Sequence, residues 1–181
     1  MPERPTLSTA RLLLRPFALA DADDVQRLAG DDRIAATTLN VPHPYEDGMA
    51  EAWISTHKRL FDEGTLHNFA ITLATSGELV GAIGLTIDPE TLLAELGYWV
   101  GVPHWGNGYC TEAARAVVGH GFSIGLRRIH AHHMATNVAS GRVMANVGMT
   151  KEGTLRQHVV KRGVRHDLAW FGILADEFDV D

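Results

Sequence analysis

With 181 residues and 45% hydrophobic content, the chain is long enough for one well-buried core and short for two, so a single domain over residues 1–181, with a core from about 10 to 176, is expected. Lys and Arg number 16 against 22 Asp and Glu, and the net charge of −6 offers no diffuse attraction to nucleic acid or anionic lipid. No apolar run approaches the roughly 18 residues of a membrane span, the N-terminal stretch lacks a signal peptide's apolar centre and small-residue cleavage site, and the sole cysteine, Cys110, excludes an intrachain disulfide, so a soluble cytoplasmic protein is expected.

In chain order, Arg11-Leu12-Leu13-Leu14-Arg15 is an apolar run closed by Pro16 and reads as an opening strand. Asp21 is placed to cap a helix with Asp23 and Asp24 in its first turn, Ala22, Val25, Leu28 and Ala29 on one face, and Gly30 at its end. A second helical region covers Asp32 to Thr38, and Asn40 to Asp47 is a proline-containing loop. A longer helix follows with Met49, Trp53, Ile54, His57, Leu60 and Phe61 as its stripe, stopped by Gly64. The period then changes to two. Phe69, Ile71 and Leu73 alternate, Ser76-Gly77 turns the chain, and Leu79, Gly81, Ile83, Leu85 and Ile87 alternate again, which predicts an antiparallel hairpin. Asp88-Pro89-Glu90 turns into a strand carrying Glu95, Leu96, Tyr98, Trp99, Val100 and Val102, which Pro103 ends because it cannot donate to a ladder.

Past Gly106-Asn107-Gly108, the residues Cys110, Ala113, Ala114, Val117, Val118 and Gly121 recur at helical spacing, the stripe of a helix lying on a sheet. Arg128 to Ala135 is the next strand, parallel to its predecessor because of the crossover. Ala139, Val143, Met144 and Val147 mark a short helix ended by Gly148, and Gly153 to Leu174 closes as a hairpin around Arg162-Gly163. The result is an α+β fold with a mixed, mostly antiparallel seven-stranded sheet and helices on both faces.

Glycines at a helix start let main-chain N–H groups approach a ligand, and the helix dipole adds positive potential, so residues 105–110 read as an anion cradle built from backbone. A nucleoside-triphosphate loop needs Lys followed by Ser or Thr after its last glycine, where this chain has Tyr109 and Cys110. A dinucleotide loop needs a small residue where Thr111 stands and an acidic residue about twenty positions on, where the chain reads Arg127-Arg128-Ile129-His130-Ala131-His132. A coenzyme A pyrophosphate, or a plain strand–turn–helix, remains.

Ala94-Glu95-Leu96-Gly97-Tyr98-Trp99, followed by Trp105-Gly106-Asn107-Gly108-Tyr109-Cys110-Thr111-Glu112-Ala113, resembles the acetyl-CoA signature of the GNAT N-acetyltransferase superfamily, in the form of its ribosomal-protein-alanine (RimJ/RimL-like) branch. The resemblance covers nearly the whole chain. It implies a splayed central parallel pair with the pantetheine arm between the strands, main-chain contacts from Trp99, Val100 and Val102, and pyrophosphate contacts from Trp105, Gly106, Asn107, Gly108, Tyr109 and Cys110. Where many members have Gln or Arg, this chain has Pro103, which removes a side-chain phosphate contact. Asn137-Val138-Ala139-Ser140 with Gly148-Met149 and Glu152-Gly153 is similar to a further family pattern, in which the residue at Asn137 binds the pantetheine amide and the hydroxyl at Ser140 lies near the thioester sulfur. Asn137 and Ser140 are equally ordinary N-cap residues.

The implied reaction is acetyl transfer from acetyl-CoA to a primary amine by direct attack in a ternary complex. It needs a neutral amine, an oxyanion donor and a donor to the leaving thiolate. The resemblance assigns Glu95 as the base, although a solvated structural carboxylate explains it as well. The Val100 N–H is placed for the oxyanion and Ser140 for the sulfur, since residues 138–148 lack the family's tyrosine. A protein N-terminus is the leading acceptor; a small amine or amino acid is the rival, and a non-catalytic acyl-CoA sensor is the reading from another class. A homodimer is compatible with the same branch. The acceptor cleft is expected between segments 32–54 and 155–168, which hold Tyr45, Trp53, Arg156, His158 and Arg165. His130, His132 and His133 lack neighbouring cysteine or carboxylate ligands at zinc spacing, so no metal is assigned, and His132 is a candidate auxiliary base on the acceptor side.

Overall fold

The computed structural model describes residues 3–179. Its strands are β1 (Leu7–Ser8), β2 (Leu12–Arg15), β3 (Leu66–Leu73), β4 (Leu79–Asp88), β5 (Leu93–Val100), β6 (Arg128–Met134), β7 (Thr150–Lys161) and β8 (Val164–Leu174). They form one eight-stranded sheet in the order β1-β2-β3-β4-β5-β6-β8-β7. Every neighbouring pair is antiparallel except β5 and β6. The expected seven strands are therefore eight. The additional strand, β1, is a two-residue pairing of Leu7 with Leu14 and Ser8 with Leu13, too short to carry a period.

The helices are α1 (Ala22–Ala29), α2 (Asp32–Thr37), α3 (Met49–Asp62), α4 (Tyr109–Ser123) and α5 (Val138–Asn146). Alternation along the strands divides the core between the two faces. Phe69 and Ile71 of β3 join Leu12, Leu14, Ile83 and Leu85 under α4, whose Ala113, Ala114, Val117 and Val118 are fully enclosed. Ala70, between them, joins Phe17, Val25, Leu28 and Ile54 on the face of α1 and α3. Each buried valine of α4 contributes about 1.5–3 kcal/mol by the usual area relation, which fixes the helix, and with it the glycine loop, over the middle strands.

Two local expectations change. Asp21 does not cap α1: its carboxylate takes both guanidinium nitrogens of Arg15 at 2.7 and 2.8 Å and the Ala18 N–H at 2.8 Å. The capping aspartate is Asp31, which accepts from the Arg33 N–H at the start of α2. The β5 strand stops at Val100 rather than running to Val102, because Val102–His104 closes into a 3-10 turn. The closing hairpin turns at Arg162 and Gly163 with φ of 52° and 77°, the left-handed pair that suits the twist of a two-residue connection. No described helix is long and apolar enough to cross a membrane.

Candidate functional site

The middle of the sheet comes apart. β5 and β6 pair at Leu93–Arg128, Ala94–Ile129 and Glu95–His130, and the pairing ends there. Past that point β6 pairs only with β8, from Ala131–Phe171 to Met134–Leu168, while β5 continues to Val100 against β4. The Gly101 N–H donates to the Val80 carbonyl of β4 at 2.8 Å. Since peptide groups alternate between the two edges of a strand, those of Trp99, paired with Ala82, also face β4. Those of Leu96, Tyr98 and Val100 face the gap. The Trp99 peptide groups thus turn away from the gap, and its ring packs against the α1 and α3 core.

The gap leads into the glycine loop. Gly106 and Gly108 have φ of 79° and 77°, a conformation that any Cβ penalises, and Gly108 is the N-cap of α4. It has no side chain to satisfy the first-turn N–H groups of the helix, which have no intrahelical acceptor. Trp105 is 46% exposed but anchored, its indole N–H donating to the Val100 carbonyl at 2.6 Å. The Asn107 side chain donates to the carbonyls of His104 and Trp105 at 3.0 and 3.3 Å, and so shapes the loop from within. Arg11, from the start of the chain, reaches across: its guanidinium bonds the Asn107 carbonyl at 3.0 Å and Glu112 at 2.7 Å and lies 4.9 Å from the centre of the Tyr109 ring. Burial pushes the Glu112 carboxyl up, but bonds from Thr9 and Arg11 outweigh it and hold the group below its ordinary value.

Glu95 sits at the last paired position, on the face opposite α4. Its carboxylate is half-exposed, with Oε1 3.6 Å from His132 Nδ1 and Oε2 4.0 Å from His130 Nε2. Both imidazoles lie against Trp170 of β8, with ring centres 5.2 and 5.1 Å from it. Burial is the main cause that pushes His130 below the ordinary imidazole value. Two residues beyond Glu95, the space where a Gly97 side chain would project is open. An open notch thus lies between the carboxylate and Trp99.

On the other face, Tyr98 closes the gap against α5. Its hydroxyl lies 2.9 Å from Ser140 Oγ and donates to the Ser140 carbonyl at 3.2 Å. Burial pushes the phenol well above its ordinary value, so it stays protonated. This pairing of residues 42 apart was not read from the sequence; the one available signal was the alternation that turns Tyr98 to the same face as Leu96 and Val100. Asn137 does cap α5, accepting from the Ser140 N–H at 3.2 Å, and its amide also donates to the Thr37 carbonyl at 3.1 Å, which ties the end of α2 to the end of β6. Burial pushes the Cys110 thiol up to about 12, so it is no nucleophile near neutral pH.

The two segments expected to wall the acceptor cleft do meet. Lys161 donates to the carbonyls of Leu39 and Val41 at 3.1 and 3.4 Å, and Arg162 pairs with Asp32. Between them is an open cavity of about 270 Å³. Trp53 belongs to the α1 and α3 core. It is packed edge-on against Phe17 and His57, at 5.1 and 4.4 Å.

A parted parallel pair running into an uncapped glycine loop is the geometry set beside the known families, and it is the family comparison that identifies an acyltransferase. The acetyltransferase (GNAT) domain model matches residues 11–150, and the chain belongs to that family of N-acetyltransferases. It is 33% identical over 176 residues to the uncharacterized N-acetyltransferase p20 of Bacillus licheniformis, covering 96% of this chain and 98% of that one. It is 35% identical over 82 residues to the ribosomal-protein-serine acetyltransferase of Escherichia coli strain K12, covering 44% and 46% of the two chains. The solved structure of Mycobacterium smegmatis RimJ in complex with CoA-disulfide superposes with a TM-score of 0.85 at 25% identity, covering 96% of this chain and 89% of that one.

Proposed function

We propose that this N-acetyltransferase takes acetyl-CoA as its donor and a primary amine as its acceptor, a protein N-terminal α-amino group first, by direct attack in a ternary complex. The observation that carries this reading is the end of β5–β6 pairing at Glu95 and His130, with β5 running on alone on that edge toward the glycine loop. Peptide groups of Leu96, Tyr98 and Val100 are left facing the gap, which suits an amide-bearing pantetheine arm in place of the missing ladder. The first-turn N–H groups of α4, with Gly106 and Gly108 beside them, suit a pyrophosphate. The RimJ structure in complex with CoA-disulfide and the ribosomal-protein acetyltransferase among the relatives support donor and acceptor respectively.

Acetyl-CoA supplies the activated carbonyl; the remaining work is done by this chain. The Val100 N–H, turned into the gap, is the donor for the developing oxyanion. With the Tyr98 proton turned to Ser140 Oγ, 2.9 Å away, the serine hydroxyl is free to donate to the leaving sulfur. Asn137, the N-cap of α5 just past the end of β6, is the residue for the pantetheine amide, and the Trp105-to-Cys110 turn, with Val102 at its entry, is the one for the phosphates. Glu95, at the lip of the slot on the opposite face, stands on the base side of the attacking amine. Purified protein with acetyl-CoA and a panel of peptides and small amines, read by thiol release, tests the reading. The expected result is turnover on peptides with free N-termini that falls at least tenfold in Glu95→Gln, with CoA affinity unchanged. Turnover confined to small amines would overturn the acceptor assignment.

A further inference from the structure

Glu95 stands beside two histidines, and the geometry gives them different roles. Of His130 and His132, the latter lies on the stretch of β6 that has left β5, directly at the opened slot. Its Nδ1 is enclosed without a hydrogen-bond partner, and Glu95 Oε1 lies 3.6 Å away. Its ring is held against Trp170, its cross-strand partner. We propose that Glu95 and His132 form a carboxylate–imidazole dyad in which Glu95 orients Nδ1–H and His132 Nε2 receives the proton of the attacking amine. The inference rests on the acetyl-transfer reading above and names the proton acceptor within it.

A carboxylate facing Nδ1 selects the tautomer that carries its proton there, leaving Nε2 with the lone pair. The gap of 3.6 Å is longer than a hydrogen bond. Such contacts commonly tighten when substrate fills the site. Imidazole is also the side chain whose proton exchange lies nearest neutral pH, which is what a base for an amine requires. As the amine nitrogen bonds to the acetyl carbon, its proton passes to Nε2. The C–S bond then breaks and the sulfur leaves as thiolate, stabilised by the Ser140 hydroxyl and protonated from solvent. The imidazolium returns its proton to water, so the balance is amine plus acetyl-CoA to amide plus CoA thiol.

The charged groups around the dyad favour His132 over its neighbour. On β6, Arg128 is engaged by Glu152 of β7, and His130, still level with the paired end of β5, has its Nε2 4.0 Å from Glu95 Oε2, while β8 sets the uncharged Trp170 against both rings. Among the described residues, Glu95 is the one carboxylate within 4 Å of the His132 ring nitrogens.

Two measurements test this on the full-length protein. The pH dependence of thiol release, with acetyl-CoA and the best acceptor, is compared for the unaltered protein, His132→Gln, His130→Gln and Glu95→Gln. The dyad predicts that kcat at the pH optimum falls at least a hundredfold in His132→Gln, with CoA affinity within about twofold, whereas His130→Gln costs less than tenfold. Histidine side-chain 15N NMR, without substrate, reads the His132 tautomer: the neutral ring is expected to carry its proton on Nδ1 in the unaltered protein and to lose that preference in Glu95→Gln. Turnover within threefold of normal in His132→Gln, or a tautomer preference unmoved by Glu95→Gln, overturns the dyad. Absence of thiol release from the unaltered protein on every amine sinks the acetyl-transfer reading instead, so the two failures are distinct.

Discussion

Tyr98→Phe removes a single oxygen from the floor of the slot and leaves the ring in place. That oxygen lies 2.9 Å from Ser140 Oγ and 3.2 Å from the Ser140 carbonyl, in a buried position. A net O–H···O bond of this kind is worth about 1 kcal/mol, so urea unfolding should show a loss of that order and an unchanged slope. The kinetic effect is larger in kind. Without its partner the serine hydroxyl is free among three staggered rotamers, a loss of about threefold in the population aimed at the sulfur. The lost polarisation of the hydroxyl adds a factor of a few, and kcat should fall about tenfold while the KM for acetyl-CoA stays constant. The assay is thiol release at saturating substrates for Tyr98→Phe, Ser140→Ala and the double variant. Because Tyr98 acts only through Ser140, the double variant should be no slower than Ser140→Ala. Effects that multiply, or a Tyr98→Phe enzyme with normal kcat, would refute the proposed chain from phenol to serine to sulfur.

The other expectations concern the loop, the thiol and acid stability. Gly108→Val forces a β-branched side chain into a φ of 77° at the head of α4 and should weaken CoA binding at least tenfold by calorimetry, with a stability loss of about 1–2 kcal/mol by urea unfolding. Cys110→Ala should retain turnover, and in the native enzyme the thiol, pushed up to about 12, should resist alkylation until the protein unfolds; rapid native labelling at pH 8 would contradict the burial. His57, enclosed between Phe17 and Trp53, is held down to about 4 by burial and then by the charge of Arg4, against an ordinary 6.5. The unfolded chain therefore binds the extra proton. The stability is intact above pH 6.5 and drains away as the pH falls toward 4, by about 2 kcal/mol at pH 5 for this one group. His67, lowered to about 4 by burial and then by His120, acts in the same direction. Denaturant midpoints at pH 7 and 5 should show the loss, and a smaller one in His57→Gln; equal midpoints in the unaltered protein would contradict it.

The strands and helices that build the site are local in sequence, which is why they could be read. The run from Glu95 to Val100, the glycine pair and the stripe of Ala113, Ala114, Val117 and Val118 each declare their period within a few residues, and the crossover forces β6 to lie parallel to β5. What escaped was set by contacts between distant segments. Tyr98 looks like any strand aromatic until α5 brings Ser140 to it, and the Arg11 contact to the loop joins residues 96 apart. Asp21 carries the composition of a cap but is diverted by Arg15, which offers a bidentate partner stronger than a backbone N–H. Trp53, on an amphipathic helix, could face a cleft or the core, and only the stacking against Phe17 and His57 decides. The turning of Trp99 peptide groups to β4 depends on register, which a period-two pattern does not encode.

The most direct measurement is an amide-resolved NMR titration of the unaltered protein with coenzyme A. Main-chain nitrogens that grip a thioester carrier across a parted strand pair predict saturable shifts at Val100, Gly106, Gly108, Tyr109 and Cys110, at one common affinity, with slowed exchange of the Val100 and first-turn α4 amides. No saturable change, or changes confined to other parts of the sheet, would contradict it.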